Sequence, residues 1–251
     1  MKIFRSAFAL TLLSCTLLSP VSVSADDALP TFVFSRPQRH SGSGVPDNLD
    51  TAIGRGECPQ LSALVPTEIP VIEVIPGQWE EMLERTWGLT TVDEPVIWFR
   101  VSQPVPGASF NLSIKTRDGT IITAQQKVLS ETDTFFSMSL PSGSLAQKET
   151  FYSFTGSMEV PCEIVPGSAP QIFPIEISGW IQRIDPPVSV AELETDRDLA
   201  ITYAAAGLWF DTFDTVVRLH QLDPTDAWVN AALAELMAKL EPVKIPESYS
   251  Y

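Results

Sequence analysis

The sequence predicts a mainly β protein, an antiparallel, immunoglobulin-like β-sandwich followed by a small three-helix extension. Three observations carry that prediction. Short apolar or alternating runs recur between Pro and Gly punctuation from about residue 54 to residue 187. After Asp185-Pro186-Pro187 the apolar period changes from two to three or four. Two cysteines, Cys58 and Cys162, bracket the β body in a chain whose first residues read as an export signal.

The signal comes first. Lys2 and Arg5 precede Ser6 to Leu18, an apolar run without charge, and Val23-Ser24-Ala25 places small residues before Asp26 as a cleavage site requires. Residues 1–25 are therefore expected to be removed. The run is too short to span a bilayer, and no later stretch approaches the ~20 apolar residues that a membrane helix needs. Leu12-Leu13-Ser14-Cys15 also has the form of a lipobox, which would acylate Cys15. The short apolar core before Cys15, and its continuation through Leu17-Leu18, favour soluble export to the periplasm or the exterior. Residues 26–53 carry Pro30, Pro37, Pro46 and Ser41-Gly42-Ser43-Gly44, the composition of a flexible spacer. One apolar island, Phe32-Val33-Phe34, interrupts it.

Strand-length runs follow at 69–75, 95–102, 109–116, 120–128, 133–140, 150–158 and 172–183. Both faces of Val96 to Val101 are largely apolar, as in a central strand. Phe110, Leu112 and Ile114 alternate with Asn111, Ser113 and Lys115, as in a strand with one wet face. Asp118-Gly119 lies between two runs and predicts a tight type I′ hairpin turn. Gln78 to Trp87 (QWEEMLERTW) is rich in helix formers and predicts one short helix among the strands. Seven or so strands in about 130 residues define the sandwich, assigned to 54–187.

Residues 188–241 read as helical. Ser189 with Glu192, or Thr195 with Asp198, forms a capping box at the first start. Helix then runs from Asp198 to Ala206, breaks at Gly207 and resumes from Phe210 to Leu222. Asp223 is expected to cap a last helix with Pro224 in its first turn, reaching about Leu240. Glu241-Pro242 ends it, and 242–251 reads as a mobile tail. Gly207-Leu208-Trp209-Phe210 through Leu222-Asp223-Pro224 is similar to half of a tetratricopeptide repeat, with Tyr203, Trp209, Phe213, Val216, Val217 and Leu222 as packing positions. Such arrays need about three units to bury their faces, so the expectation is a helical appendage sealed against the sandwich. Trp209, Phe210 and Trp228 are the candidates for contact with a partner.

Charge narrows the partners. The chain carries a net charge of −15, and losing Lys2 and Arg5 with the signal brings the mature protein to −17. That surface repels nucleic acid and anionic headgroups. A hydrophobic fraction of 44% suffices for a real core. No catalytic constellation is legible. His40 lies in the spacer and His220 near a helix C-terminus, where its charge is favourable. The chain has no Gly-x-Ser-x-Gly elbow, no phosphate-cradling glycine loop and no His/Cys set for zinc or copper, so no cofactor or metal is expected. Glu192, Glu194, Asp196 and Asp198 are close in sequence and Asp211 and Asp214 follow, but the first four would spread around a helix rather than converge on calcium. Glu73, Asp93 and Glu94 are carboxylates without a known separation, and glycoside hydrolysis requires one. Trp79, Trp87, Trp98 and Trp180 would have to face solvent to form a sugar platform; their apolar surroundings place them in the core. Cys58 and Cys162, an even pair in an exported chain, are expected to form one disulfide, which leaves no thiol nucleophile.

Several strings, in this order, resemble a family of exported cyanobacterial proteins, domain-of-unknown-function family nine-two-eight. They are Gly54-Arg55-Gly56-Glu57-Cys58, Leu61 to Pro66 (LSALVP), Val96-Ile97-Trp98-Phe99, Val160-Pro161-Cys162, Gly179 to Ile184 (GWIQRI) and Ala204 to Asp211 (AAAGLWFD). Arg100 stands where the family pattern has a tyrosine or similar residue. The resemblance implies export, a β-rich body and a helical C-terminus, and it implies no activity. The residues and the resemblance together predict a non-enzymatic envelope protein that binds or scaffolds a protein partner. The alternative is a carbohydrate-binding or glycan-processing module.

Overall fold

Apolar alternation becomes two facing sheets in the computed structural model, which describes residues 58–68, 71–75, 78–81, 85–163, 167, 169–186, 193 and 195–240. For 68, 71–75, 78–81 and 85 only the backbone course is described. The signal, the spacer, the Ser189–Glu192 capping alternative and the tail lie outside these residues.

Strands β1 (Leu61–Ala63), β6 (Val96–Val101) and β9 (Phe135–Ser139) form a three-stranded sheet with β6 in the middle. Both faces of β6 are apolar because Phe99 meets Phe110 of the larger sheet while Trp98, on the other face, packs on Phe213 of the helical segment. The larger sheet has six strands in the order β2-β5-β11-β10-β7-β8. Their ranges are Thr67–Glu68, Arg85–Thr90, Gln171–Arg183, Thr150–Cys162, Ser109–Thr116 and Ile121–Val128. A separate pair joins β3 (Val71–Ile75) to β4 (Gln78–Glu81). The long β10–β11 hairpin pairs antiparallel from Thr150 opposite Arg183 to Cys162 opposite Gln171.

Three features differ from the sequence expectation. The described residues of Gln78 to Trp87 are strand, not helix: Gln78–Glu81 form β4, and Arg85, Thr86 and Trp87 are the first half of β5. Glu, Met, Leu and Arg carry helix propensity of only tenths of a kcal/mol each, and sheet pairing overrides it. β5 runs parallel to β11, with Trp87 opposite Trp180, so the larger sheet is mixed rather than purely antiparallel. The Asp118-Gly119 turn does close the β7–β8 hairpin, yet Gly119 takes positive φ (+87°) and Asp118 does not. A type I′ turn needs positive φ at both central residues; here Arg117 and Asp118 turn in the ordinary sense and Gly119 completes the closure. Asp118 accepts from the Thr120 amide, and the chain re-enters the ladder past a register shift at Ile114–Lys115.

Between the sheets lie Phe99 of β6, Phe110 of β7 and Phe136 of β9, with ring centroids 4.7 to 5.5 Å apart. Aromatic pairs at this spacing add to the burial energy of the rings themselves. Cys58 and Cys162 form a disulfide with Cα atoms 4.7 Å apart, tying the segment before β1 to the end of β10.

The helices are α1 (Asp196–Ala205), α2 (Trp209–Leu222) and α3 (Ala227–Lys239). Thr195 is the N-cap of α1 and its hydroxyl accepts from the Asp198 amide, which selects the second of the two capping boxes. Asp226, not Asp223, caps α3, accepting from the amides of Trp228 and Val229. Asp223 instead holds a turn through the Thr225 amide and hydroxyl. Buried residues of α2 and α3 belong to the same apolar cluster as the sandwich interior. Leu222, expected to pack, is 79% exposed.

Candidate functional site

Two places bring polar side chains together: a small cleft under the helices and an open trough on the outer face of the larger sheet. Both follow from how α1 and α2 grip β5. Trp87 and Leu89 of β5 join Trp180, Phe151, Ile184 and Leu208 in a second apolar cluster on the outer face. Gly88 points the other way. A Cβ there would lie 2.8 Å from the Phe210 ring and 3.2 Å from the Trp209 Cβ, so only glycine lets α2 begin against the strand. Gly207, at φ +73°, turns the chain so that Leu208 covers the outer face while Trp209 enters the core between the sheets. The helices thus straddle the β5 margin of the sheet.

Trp209 and Phe210, expected to meet a partner, are 1% and 3% exposed. Trp209 donates its indole N–H to the Leu64 carbonyl at 2.7 Å and stacks on Phe213. These rings face the sandwich because the sandwich itself supplies the apolar surface that a repeat array would otherwise provide. Trp228 is half-buried, with the Arg197 guanidinium 5.3 Å from its ring centroid and paired with the α3 cap Asp226. Trp87, Trp98 and Trp180 are buried, so these three rings form no solvent-facing platform. The side chain of Trp79 lies outside the described residues.

The cleft encloses about 240 Å³ and is lined by Glu94, Tyr203, Phe210, Asp211, Asp214 and Arg218 among others. Its floor is Asp211, in the first turn of α2 and 8% exposed. The carboxylate accepts from the Thr91 amide at 3.1 Å and the Thr91 hydroxyl at 2.9 Å. Burial nevertheless dominates and pushes its pKa up to about 6, against the lowering effect of the Thr91 and Thr90 donors. Burial, and then the charge of Asp211, raise the Tyr203 phenol as well. On the next turn Asp214 accepts from the Trp98 indole at 3.2 Å and pairs with Arg218 at 3.4 Å. Arg183 of β11 donates to the Thr91 carbonyl, completing a clasp of β5, β11 and α2. Asp211 carried no sequence signal beyond its place in the string Ala204 to Asp211.

The other sequence candidates scatter. Asp93 accepts from the Gly143 amide in a turn, Glu94 lines the cleft, and the side chain of Glu73 is not described. His220 sits in the last turn of α2. Asp196 and Asp198 occupy the first turn of α1, while Glu192 and Glu194 lie outside the described residues. Among the described residues no three His, Cys, Asp or Glu side chains gather as a metal site, and no helix is long and apolar enough to cross a membrane.

The trough lies where the helices do not reach. One hollow of about 570 Å³ runs over Ser109, Asn111, Ser157, Glu159, Ile172 and Glu176, among others. A second of about 290 Å³ continues over Ser113, Gln126 and Thr155 and shares Asn111 and Ser157 with the first. Among the described residues no aromatic ring lines either.

The family model described as Domain of Unknown Function (DUF928) matches residues 52–247. The chain belongs to the DUF928 family. No curated protein matches it. Among solved structures, this DUF928 protein is similar to CopC from Methylosinus trichosporium OB3b at 13% identity and a TM-score of 0.26, over 38% of this chain and 83% of that one. It is also similar to the C-terminal domain of wzt at 13% identity and a TM-score of 0.23, over 55% and 90% of the two chains. At such scores neither likeness defines the fold or the role of the DUF928 chain.

Proposed function

We propose that this DUF928 protein is an exported, non-enzymatic module of the cell envelope, and that it binds a protein partner on the trough of its larger sheet. The trough carries the reading. It is a broad face of short hydroxyl and amide side chains that no other described element covers, with exposed Ile172 beside it and the carboxylates of Glu159 and Glu176 along one wall. That mixture suits an extended protein segment bearing a basic side chain. Sugar-binding faces rely on exposed rings, and none among the described residues lines the trough, so a glycan is the second reading. The cleft supports binding rather than catalysis, because its strongly perturbed carboxylate, Asp211, is committed to Thr91 and nearly sealed from solvent. The disulfide, the signal sequence and the acidic surface support export as a soluble protein.

A photo-cross-linking residue placed at Asn111, Thr155 or Ser157 tests the reading in the native cell. Adducts to a single envelope protein are expected at these positions and not at Leu222 on the helical side. Adducts from the helical side alone would refute the trough, and a glycan that blocks adduct formation would favour the second reading. Mass spectrometry of the mature protein should find its N-terminus at Asp26; an acylated Cys15 would replace the soluble form with a lipid-anchored one.

A further inference from the structure

The two margins of the six-stranded sheet are treated differently. At one end β2 is two residues long and β5 behind it is wrapped by the helices. At the other end β8 spans eight residues, and among the described residues no strand lies beyond it. A margin strand exposes a row of unpaired N–H and C=O groups, which proteins usually guard with proline, charge or shortness. β8 (IITAQQKV) contains no proline and a single charge, Lys127. That charge is already engaged, 3.8 Å from Asp133 and 5.7 Å from the centroid of the Phe136 ring. What the strand presents outward is Ile122 at 38% exposure, Ala124, Gln126 and Val128 at 64%.

We infer that β8 pairs antiparallel with β8 of a second copy of this chain, centred on Gln125, joining two six-stranded sheets into one. Three observations select a second copy as the occupant. Antiparallel pairing keeps same-face residues opposite one another. Centred on Gln125, it sets Ile122 opposite Val128 of the second copy and Ala124 opposite Gln126, and twofold symmetry repeats both contacts. The two most apolar outward positions of the regular ladder thus cover each other. Next, the charges at the strand ends are complementary. Lys115 and Arg117 outnumber Asp118 at the hairpin end, while Glu131 and Asp133 outnumber Lys127 at the other, so antiparallel copies bring the net basic end of each to the net acidic end of its mate. Finally, in a chain of net charge −15, this margin is a place where two copies meet without opposing acids along the strand. The outer faces of the two sheets then continue across the seam, which doubles the troughs without closing either one. The pairing stands whether or not the trough binds a protein.

Sedimentation equilibrium of the mature, disulfide-bonded chain tests the inference with a charge exchange across the seam. Wild type should sediment as a dimer. Ile122→Lys with Val128→Lys sets like charges opposite each other and should give the mass of a monomer with an unchanged circular dichroism spectrum, since both side chains are exposed. Ile122→Lys with Val128→Glu sets opposite charges face to face and should restore the dimer. A monomeric wild type overturns the inference; slow amide exchange along β8 in that monomer would show that another segment of the chain fills the margin. A dimer indifferent to the lysine pair places the contact elsewhere, and a dimer lost in both variants overturns the register.

Discussion

Asp211 shows how a single residue records the joining of helix to sheet. Its carboxyl titrates near pH 6 because burial disfavours the charge by more than the Thr91 and Thr90 donors favour it. The folded pKa lies above the unfolded value of 3.8, so folding takes up a proton. The resulting stability is complete below about pH 4 and is lost as pH rises through about 6. A shift of this size corresponds to about 3 kcal/mol at most. Urea unfolding should therefore give a wild type more stable at pH 5 than at pH 7.5 by about 1–1.5 kcal/mol from this group, the part of the shift that lies within that interval. Asp211→Asn cannot ionise and should lose that difference while keeping an acceptor for Thr91. The groups with lowered values act elsewhere on the scale. The Ser130 amide and hydroxyl hold Asp133 down. Asp226, against the raising effect of its own burial, is held down by the Val229 amide and by Arg197. Both lose stability only as pH falls below the ordinary carboxylate range, so they leave the interval from 5 to 7.5 to Asp211. Equal pH slopes in the two proteins would remove Asp211 as the cause.

At the level of elements, the strands were legible wherever one face is wet and the other dry, since the period of two then survives in the sequence. Phe110, Leu112 and Ile114 are buried on β7 as the alternation implies. β4 and β5 were misread because Glu80, Glu81, Met82, Leu83 and Glu84 favour helix locally, whereas β5 owes its state to β2 and β11, which are distant in sequence. The cap of α3 was displaced for a related reason. Asp223 and Asp226 are both good caps by type, and the turn held by Thr225 decides between them. Their mutants should separate the two roles. Asp226→Ala removes two amide partners and the bond to Arg197 and should destabilise the protein by about 1–2 kcal/mol, with faster amide exchange in the first turn of α3. Asp223→Ala should leave exchange in α3 near wild type. The reverse order would restore Asp223 as the cap. The cleft was hidden from sequence because Thr91 and Asp211 lie 120 residues apart and no spacing links them.

Across the whole molecule the disulfide and the helices act on one core, although the helices lie outside the covalent loop. Cys58 and Cys162 are 104 residues apart, and closing such a loop stabilises by up to ~4.7 kcal/mol in the chain-entropy model. The six residues after Cys58 lead through β1 to Leu64, whose carbonyl accepts the Trp209 indole N–H. Phe213 of α2 packs on Trp98 of β6 and Phe135 of β9. Loosening the start of the β body therefore withdraws the acceptor and the neighbours that hold α2. A helical end surviving the loss of the sandwich would need a core of its own, yet its buried Trp209, Phe213, Val216 and Leu236 belong to the cluster shared with Phe99 and Phe110. The double variant Cys58→Ser, Cys162→Ser should accordingly unfold in one transition, at lower denaturant than the oxidised protein. Far-ultraviolet helix signal and near-ultraviolet tryptophan signal should share a midpoint. Helix signal that persists after the tryptophan signal is lost would mean that the extension folds alone. In that event the clasp at Asp211 joins two bodies, and its pH dependence belongs to docking rather than to folding.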